Sequence, residues 1–283
     1  MKLTEHQKSF LDCFGYLSFP GLFKDEISEI IDAFEAIFTE NGGGDLHGRP
    51  HTGESRTCII PFIDQSIYLS ALMDDPRVNG LLMDLLGDDY TYTGSDGNYY
   101  AGDTAWHSDT DWSGVKRGKP PKTFYKIAFY LDPVDHDSGA LRVIPGSHKY
   151  GDVYAENLEK IASTPEAVGC SGNEIPAVVL ASNPGDMLIF NQNLKHSAWG
   201  GSKKRRMFTL NCCSRYTEDE TQYLHNEIKQ RARFWISDVY GPAMLETAGP
   251  ERMRHLEQLL EHKHILEEAV EEAKEKMAEP SRG

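Results

Sequence analysis

The sequence predicts a mostly β fold, an antiparallel barrel or jelly roll with flanking helices, from two observations. Short apolar or alternating segments, separated by turns rich in Gly, Pro, Asn and Asp, fill the chain from about residue 88 to 215. Helical periodicity is found instead towards the two ends of the chain. Many short strands with few helices between them are typical of antiparallel sheets rather than of a parallel doubly wound sheet.

The first part, residues 1–87, is expected to be mainly helical. Helices are predicted over residues 4–14 and 24–40, the second from apolar residues at three- and four-residue steps. These apolar residues are Ile27, Ile30, Ile31, Phe34 and Phe38. The stretch GYLSFPGLF between the helices predicts a short strand and a turn, and residues 41–66 predict a loop because they contain few apolar anchors.

The barrel core, which would contain a metal site, is predicted over residues 88–215. Its predicted strands are DYTYTGSDGNYYAG, TFYKIAFYLDPV, ALRVIPGS, AVVLAS, DMLIFN and RMFTLNCCSRY. Residues 151–176 are less regular, and we expect an excursion over one mouth of the barrel. Residues 216–283 return to helix, and no repeat or low-complexity linker interrupts the chain, so residues 1–283 are interpreted as one domain.

The C-terminal helical segment keeps an apolar stripe through a highly charged background. The stripe consists of Leu256, Leu259, Leu266, Val270, Ala273 and Met277. Two interpretations stay open: the helix packs on the barrel, or it forms a homodimer seam. The first is the more common use of such a stripe.

Composition limits the partners and the compartment. The chain has 44 acidic against 29 basic residues and a formal net charge of −15, which opposes binding to nucleic acid and to anionic membranes. Five cysteines without a C-x-x-C spacing indicate neither a disulfide framework nor a zinc knuckle. No stretch is apolar enough for a signal peptide or a membrane helix, so the sequence predicts a soluble, cytoplasmic protein.

The stretch WHSDTDW at residues 106–112 contains a histidine and two aspartates, which can bind a metal or take part in acid–base chemistry. His107 and Asp109 form an H-x-D pair, and residues two apart on a strand point to the same face. His196, downstream in PGDMLIFNQNLKHSAWGG, supplies a second imidazole. Two histidines and one carboxylate make the facial triad of non-haem iron sites, and Arg205 or Arg206 supplies a planar fork for a carboxylate.

These motifs, in this order, resemble the phytanoyl-CoA dioxygenase family of Fe(II)/2-oxoglutarate oxygenases. The similarity rests on WHSD, SGALRVIPGSHK at residues 138–149, PGDMLIFN, and KHSAWGG followed by an arginine. It covers residues 94–212 closely, and within the family it is greatest to ectoine hydroxylase-like members. The resemblance implies a double-stranded β-helix, which is a cupin-like jelly roll.

The resemblance also implies roles for individual residues. His107, Asp109 and His196 would bind the iron, and Arg205 would bind the distal carboxylate of 2-oxoglutarate. Arg206 is the competing choice; Arg205 is preferred because it lies on the more polar face of its predicted strand. Two further residues would contact the cosubstrate: Asn98 through its side chain, and Ser197, which stands one position before the hydroxyl residue usual in the family.

Four residues are candidates for substrate contact, each with a plainer alternative. Asp111 either contacts the substrate region or faces solvent, and Trp112 either borders the pocket or packs. Lys126 interrupts an apolar strand, so it either extends outward or meets an anion inside. Tyr100 either faces inward or packs in the core with its hydroxyl hydrogen-bonded.

The function expected from this pattern is an Fe(II)- and 2-oxoglutarate-dependent dioxygenase that uses O2. It would hydroxylate or oxidatively demethylate a small soluble metabolite and release succinate and CO2. The alternative is a non-catalytic jelly-roll protein of the same family that binds a metal or a ligand.

Overall fold

The computed structural model describes residues 1–109, 122–149, 153–163 and 169–283. Within them the helices are α1 Glu5–Phe14, α2 Ile27–Glu40, α3 Ile67–Ser70, α4 Asn79–Leu86, α5 Val153–Ser163, α6 Thr221–Lys229, α7 Pro242–Thr247, α8 Pro250–Glu261 and α9 His264–Lys276. The strands are β1 Tyr16–Phe19, β2 Thr57–Ile59, β3 Thr91–Tyr100, β4 Thr104–His107, β5 Phe124–Tyr130, β6 Leu141–Val143, β7 Val178–Leu180, β8 Met187–Asn191, β9 His196–Ala198 and β10 Arg205–Cys213.

Over the described residues the strands form two sheets in which every pairing is antiparallel. The larger sheet has the order β1-β8-β5-β10-β3-β2, and the smaller has the order β4-β9-β6-β7. Neighbours in each sheet are distant in sequence, as a jelly roll requires. The predicted architecture of antiparallel strands with flanking helices is therefore observed.

The larger sheet separates an apolar core from a polar cavity. On its outer face, Phe129 of β5 stacks on Phe208 of β10 with ring centroids 4.8 Å apart. The helix α2 packs on this layer through Phe34, whose ring lies 6.5 Å from that of Phe208. Because side chains alternate along a strand, the opposite face of β10 turns its polar residues inward. Arg205 and Thr209 are among the residues that line the cavity.

Three local expectations differ from the structure. Residues 41–66 are not all loop, because Thr57–Ile59 pairs with β3 as an edge strand. Residues 151–176 contain the helix α5, Val153–Ser163. The C-terminal segment is two helices, α8 and α9, because the first ends at Glu261 and the second begins at His264.

The apolar stripe of the C-terminal helices packs within the chain. Leu256, Leu259, Leu266 and Val270 are all buried in the main hydrophobic core. The helix α9 contacts α6 and the 3-10 turn Gln230–Phe234 that follows it. The packing alternative is thus observed, and a homodimer through these helices stays a prediction.

Candidate metal centre

His107, Asp109 and His196 converge at one end of the smaller sheet. The strands β4 and β9 place His107 directly opposite His196. The strand β4 ends at His107, so Asp109 lies beyond it rather than on the strand as predicted. Its amide donates to the carbonyl of Gln192 over 2.9 Å, which fixes the turn. One ligand atom from each of the three residues lies within 4.8 Å of the others.

Both imidazoles are oriented by the backbone. The Nδ1 of His107 lies 2.8 Å from the carbonyl oxygen of Ala105, and the Nδ1 of His196 lies 2.8 Å from that of Leu194. A carbonyl only accepts, so each Nδ1 carries a proton, and in the neutral imidazole Nε2 keeps the lone pair that can bind a metal. Each Nε2 lies 3.7 Å from Oδ1 of Asp109. Two nitrogens and one oxygen therefore face a common point, which is the donor set of a facial triad.

The protonation states fit a metal centre. Burial and the nearby His107 together lower the pKa of His196 to about 4, against the opposing effect of Asp109. Burial alone would raise the pKa of Asp109, but Lys126 and the two imidazoles outweigh it and hold the pKa well below its usual range. At neutral pH His196 is uncharged and Asp109 is ionised, the forms that bind a metal.

Lys126 of β5 points inward and meets an anion, which is one of the two alternatives for this residue. Its Nζ lies 2.8 Å from Oδ2 of Asp109, the carboxylate oxygen that faces away from the imidazoles. Burial would lower the pKa of Lys126, but Asp109 and Asp96 outweigh burial and raise it. The ion pair leaves Oδ1 of Asp109 directed at the histidines.

A cavity of about 610 Å³ adjoins the three residues. This volume is typical of a site for a small molecule. Its walls come from the inner face of the larger sheet, the metal-site residues of the smaller sheet, and the segment that contains α6.

Arg205 is a buried cation on the cavity wall. Its residue surface is only 3 % exposed. Its Nε and Nη1 hydrogen-bond to none of the residues that the structure describes, and none of their carboxylates forms an ion pair with it. Its guanidinium lies 5.2 Å from the ring centroid of Tyr100. A buried charge without a partner is costly, so this position is suited to binding an anion.

Two glycines make room for this guanidinium. A Cβ on Gly139 would lie 1.7 Å from Nη1 of Arg205, and a Cβ on Gly201 would lie 2.5 Å from it. Gly139 also has φ +87°, a conformation that favours glycine. These two positions accommodate the arginine as well as forming turns.

Arg206 points the other way and is fully engaged. Its Nη2 lies 2.5 Å from Asp132, and its Nη1 lies 3.0 Å from Glu35 of α2. The alternation of β10 thus separates the two arginines, one in the cavity and one in a surface network.

Comparison with known proteins agrees with this geometry. The family model described as "Phytanoyl-CoA dioxygenase (PhyH)" matches residues 11–208, which is more than half of the chain. The ectoine dioxygenase of Sphingopyxis alaskensis is 25 % identical over 218 residues, covering 70 % of this chain and 71 % of that protein.

The chain belongs to the phytanoyl-CoA dioxygenase family.

Solved structures of relatives agree with the fold. The apoform of EctD from S. alaskensis superposes with a TM-score of 0.60 at 25 % identity, covering 75 % of this chain and 77 % of that one. EctD with 2-oxoglutarate and 5-hydroxyectoine also gives 0.60, at 24 % identity and with 75 % and 76 % covered. The 2-oxoglutarate-dependent carbocyclase SnoK from nogalamycin biosynthesis gives 0.56 at 18 % identity, with 75 % and 84 % covered, and shares the fold.

Membership of the phytanoyl-CoA dioxygenase family confirms three predictions from the sequence. They are the family itself, the jelly-roll fold class, and the enzyme class of non-haem iron, 2-oxoglutarate-dependent dioxygenases. None of the helices in the described part of the chain combines the length and the apolarity that crossing a bilayer requires.

Asn98 and Ser197, which were predicted to contact the cosubstrate, both form hydrogen bonds within the protein. The amide of Asn98 is hydrogen-bonded at both ends: its Oδ1 accepts from Arg56 over 2.6 Å, and its Nδ2 donates to Asp96 over 2.6 Å. The hydroxyl of Ser197 accepts from the indole of Trp199 over 2.9 Å. Both side chains already have partners inside the protein.

The predicted substrate contacts are only partly described. Tyr100 lines the cavity, with the guanidinium of Arg56 lying 4.7 Å from its ring centroid. Lys126 also lines the cavity, where it pairs with Asp109. Asp111 and Trp112 lie outside the described residues.

The sequence reasoning missed the wall built by α6. Four of the cavity-lining residues lie on one face that runs along α6 to the first residue of the turn after it: Tyr223, Asn226, Glu227 and Gln230. Their spacing of three, four and seven is that of one helix face. Arg231, Arg233 and Phe234 of that turn also line the cavity. The polar face of α6 could have indicated a cavity wall from the sequence, but the same pattern is typical of a helix face exposed to solvent. This wall lies after residue 208, where the match to the phytanoyl-CoA dioxygenase family ends.

Proposed function

We propose that the protein is an oxygenase that uses Fe(II), 2-oxoglutarate and O2 to hydroxylate or oxidatively demethylate a small soluble metabolite, releasing succinate and CO2. One observation carries the proposal: the His107, Asp109 and His196 set and the buried cation of Arg205 line the same cavity. A structural metal site has no use for a buried arginine that forms no ion pair with the residues that the structure describes.

The residues have distinct tasks in this reaction. His107, Asp109 and His196 would hold iron on one face and leave the remaining positions for ligands. Arg205, rather than Arg206, would bind the distal carboxylate of 2-oxoglutarate, because Arg206 is neutralised by Asp132 and Glu35. Bound iron supplies the activation of O2. The protein orients both substrates and keeps Asp109 ionised through Lys126.

The relatives support a small metabolite as the substrate. The curated relative is named ectoine dioxygenase, and the EctD structure contains 2-oxoglutarate with 5-hydroxyectoine. We further propose that residues 1–283 act as one domain, and that the reaction takes place in the cytoplasm. All five cysteines are free thiols, which fits a reducing compartment.

The test is spectroscopic. Anaerobic addition of Fe(II) and 2-oxoglutarate should produce the weak visible charge-transfer band of an iron-bound 2-oxo acid. His107→Ala should abolish the band, whereas His136→Ala, which removes an exposed histidine, should leave it intact. If no band forms, and His107→Ala binds metal as the wild type does, the proposal is wrong. A band without succinate release on a broad metabolite panel would favour the non-catalytic alternative.

A further inference from the structure

The wall built by α6 presents polar side chains to the cavity. Asn226, Glu227 and Gln230 face it, whereas Leu224 and Ile228 on the other side of the helix are buried in the core. The helix is held in place through its contacts with α9. The polar face is therefore fixed relative to the barrel by packing behind it.

Glu227 is a charged residue of this wall without a partner. It is half-buried, and it makes no hydrogen bond or ion pair with the residues that the structure describes. Two nearby cations act on Glu227 without bonding to it. Nη1 of Arg231 donates to the carbonyl of Val239 over 2.8 Å while its Nη2 has no hydrogen-bond partner among the described residues, and Lys126 pairs with Asp109. Taking a carboxylate out of water without a counter-charge is costly. A partner that arrives with the substrate would offset this cost.

Glu227 lines the same cavity as His107, Asp109 and His196. Burial raises the pKa of Glu227, and the charge of Asp109 adds to the rise, while Arg231 and Lys126 oppose it. The charges of Asp109 and Lys126 thus reach Glu227. Among the described residues, Arg205 is a cation and Glu227 an anion that form no ion pair in the cavity, and these two poles attract ligand groups of opposite sign. Arg231 and Arg233 line the same wall as Glu227.

We propose that Glu227 binds a cationic nitrogen of the substrate, so that the enzyme selects small molecules carrying an ammonium or guanidinium group. The inference rests on the proposed function, because it assigns the substrate class of that site. The opposite charges of Arg205 and Glu227 would also direct 2-oxoglutarate and the substrate to different parts of the cavity. The negative charges of 2-oxoglutarate are drawn to Arg205 and repelled by Glu227, and a cationic substrate has the opposite preference. Glu227 is a specificity residue of this chain, since it lies beyond the part that matches the family model.

The experiment compares matched pairs of compounds that differ in one positive charge. The pairs are choline and 3,3-dimethylbutan-1-ol, L-lysine and Nε-acetyl-L-lysine, and L-arginine and L-citrulline. For each compound two quantities are measured: the concentration that perturbs the charge-transfer band of the anaerobic Fe(II)/2-oxoglutarate complex, and succinate release in air. We expect at least one cation to act at about a tenfold lower concentration than its neutral partner.

Variants of Glu227 test whether this residue causes the preference. Glu227→Gln keeps the shape and removes the charge, so the preference should fall about tenfold. Glu227→Asp keeps the charge and should retain part of it. The matched control is Glu218→Gln, which removes an exposed carboxylate from the same segment and should change nothing. The band itself verifies that each variant is folded.

Two results would overturn the inference: no cation is preferred over its neutral partner, or the preference persists in Glu227→Gln. Neither result affects the proposed function, because the formation of the band with Fe(II) and 2-oxoglutarate alone tests that separately. If the charge-transfer band does not form with Fe(II) and 2-oxoglutarate, both the proposed function and this inference are wrong.

Discussion

The metal-site wall and the α6 wall of the cavity differ in how their polar groups are held. On the metal side, backbone carbonyls hold both imidazoles and Lys126 holds Asp109. On the α6 side, Glu227 has no partner among the described residues. The first wall lies within the part that matches the family model, and the second lies outside it. In the proposed reaction, the shared chemistry is thus carried by groups that the protein holds in position, while selectivity is assigned to a carboxylate that forms no ion pair with the described residues.

The largest expected effect concerns Arg205. This arginine lies within the part that matches the family model, yet it forms no ion pair with the described residues. Arg205→Ala should raise the KM for 2-oxoglutarate by about 100-fold or more, because it removes the charged partner of a buried carboxylate. Succinate formation at varied 2-oxoglutarate concentrations measures this directly.

Arg206→Ala is the matched control for that experiment. It should reduce stability, since Asp132 and Glu35 lose their partner, and should leave the KM nearly unchanged. If Arg206→Ala raises the KM and Arg205→Ala does not, the assignment of the two arginines is reversed.

The next prediction uses the pH dependence of the unfolding free energy to distinguish His196 on the metal-site wall from Glu227 on the α6 wall. The pKa of His196 is lowered to about 4 in the folded protein, against an unfolded value near 6.5. Below pH 6.5 the unfolded chain binds the proton more tightly, so this contribution to stability is fully present above pH 6.5 and is lost as the pH falls towards 4. Between pH 7 and pH 5 the metal-free protein should lose about 2 kcal/mol of unfolding free energy through His196.

Denaturant titrations of the metal-free protein at pH 7 and pH 5 measure this loss. His196→Gln should lack it. Glu227 should act with the opposite sign, because its pKa is raised and the folded state therefore binds a proton more tightly. Removing Glu227 should therefore make the loss of stability in acid larger. Equal pH dependence in the wild type and His196→Gln would show that His196 is not buried in its neutral form.

Local patterns predicted which faces of two elements on the metal side of the molecule are buried or face the cavity. The alternation of β10 placed Arg205 and Thr209 on the cavity face, and the steps of α2 predicted buried Ile30, Phe34 and Phe38. Strand and helix periodicity is a property of consecutive residues, so it can be read from the sequence. The order of the motifs, through the family resemblance, then predicted which three residues would bind the iron, and the structure brings these three together.

The missed features depend on contacts between distant segments. The strand β2 has three residues and exists because it pairs with the edge of β3 about forty residues later. Glu227 faces the cavity because α9 packs behind α6, which nothing in the sequence of α6 specifies. Both are consequences of tertiary packing, which overrides local preference.

A smaller effect is expected from the glycine that makes room for Arg205. Gly139→Ala would place a Cβ against Nη1 of Arg205 and should raise the KM for 2-oxoglutarate about tenfold by displacing the guanidinium. Gly48→Ala is the control, because Gly48 has a similar φ of +73° but its Cβ would meet nothing within 4 Å. Both variants should lose stability through backbone strain, and only Gly139→Ala should lose cosubstrate affinity. The same loss in both would mean that strain, not contact with Arg205, is the cause.

The smallest expected effect tests whether Ser197 belongs to the cosubstrate site or only to the scaffold. Its hydroxyl accepts the indole N–H of Trp199, so Ser197→Ala leaves that donor without its partner and should cost about 1 kcal/mol of unfolding free energy. The KM for 2-oxoglutarate should change less than about threefold, since one hydrogen bond of this kind contributes little beside the charge of Arg205. Trp199→Phe removes the donor from the other side, and the double variant should then cost less than the sum of the two single changes. A tenfold rise in KM for Ser197→Ala, without loss of stability, would instead assign the hydroxyl to 2-oxoglutarate and make it part of the prearranged metal-site wall.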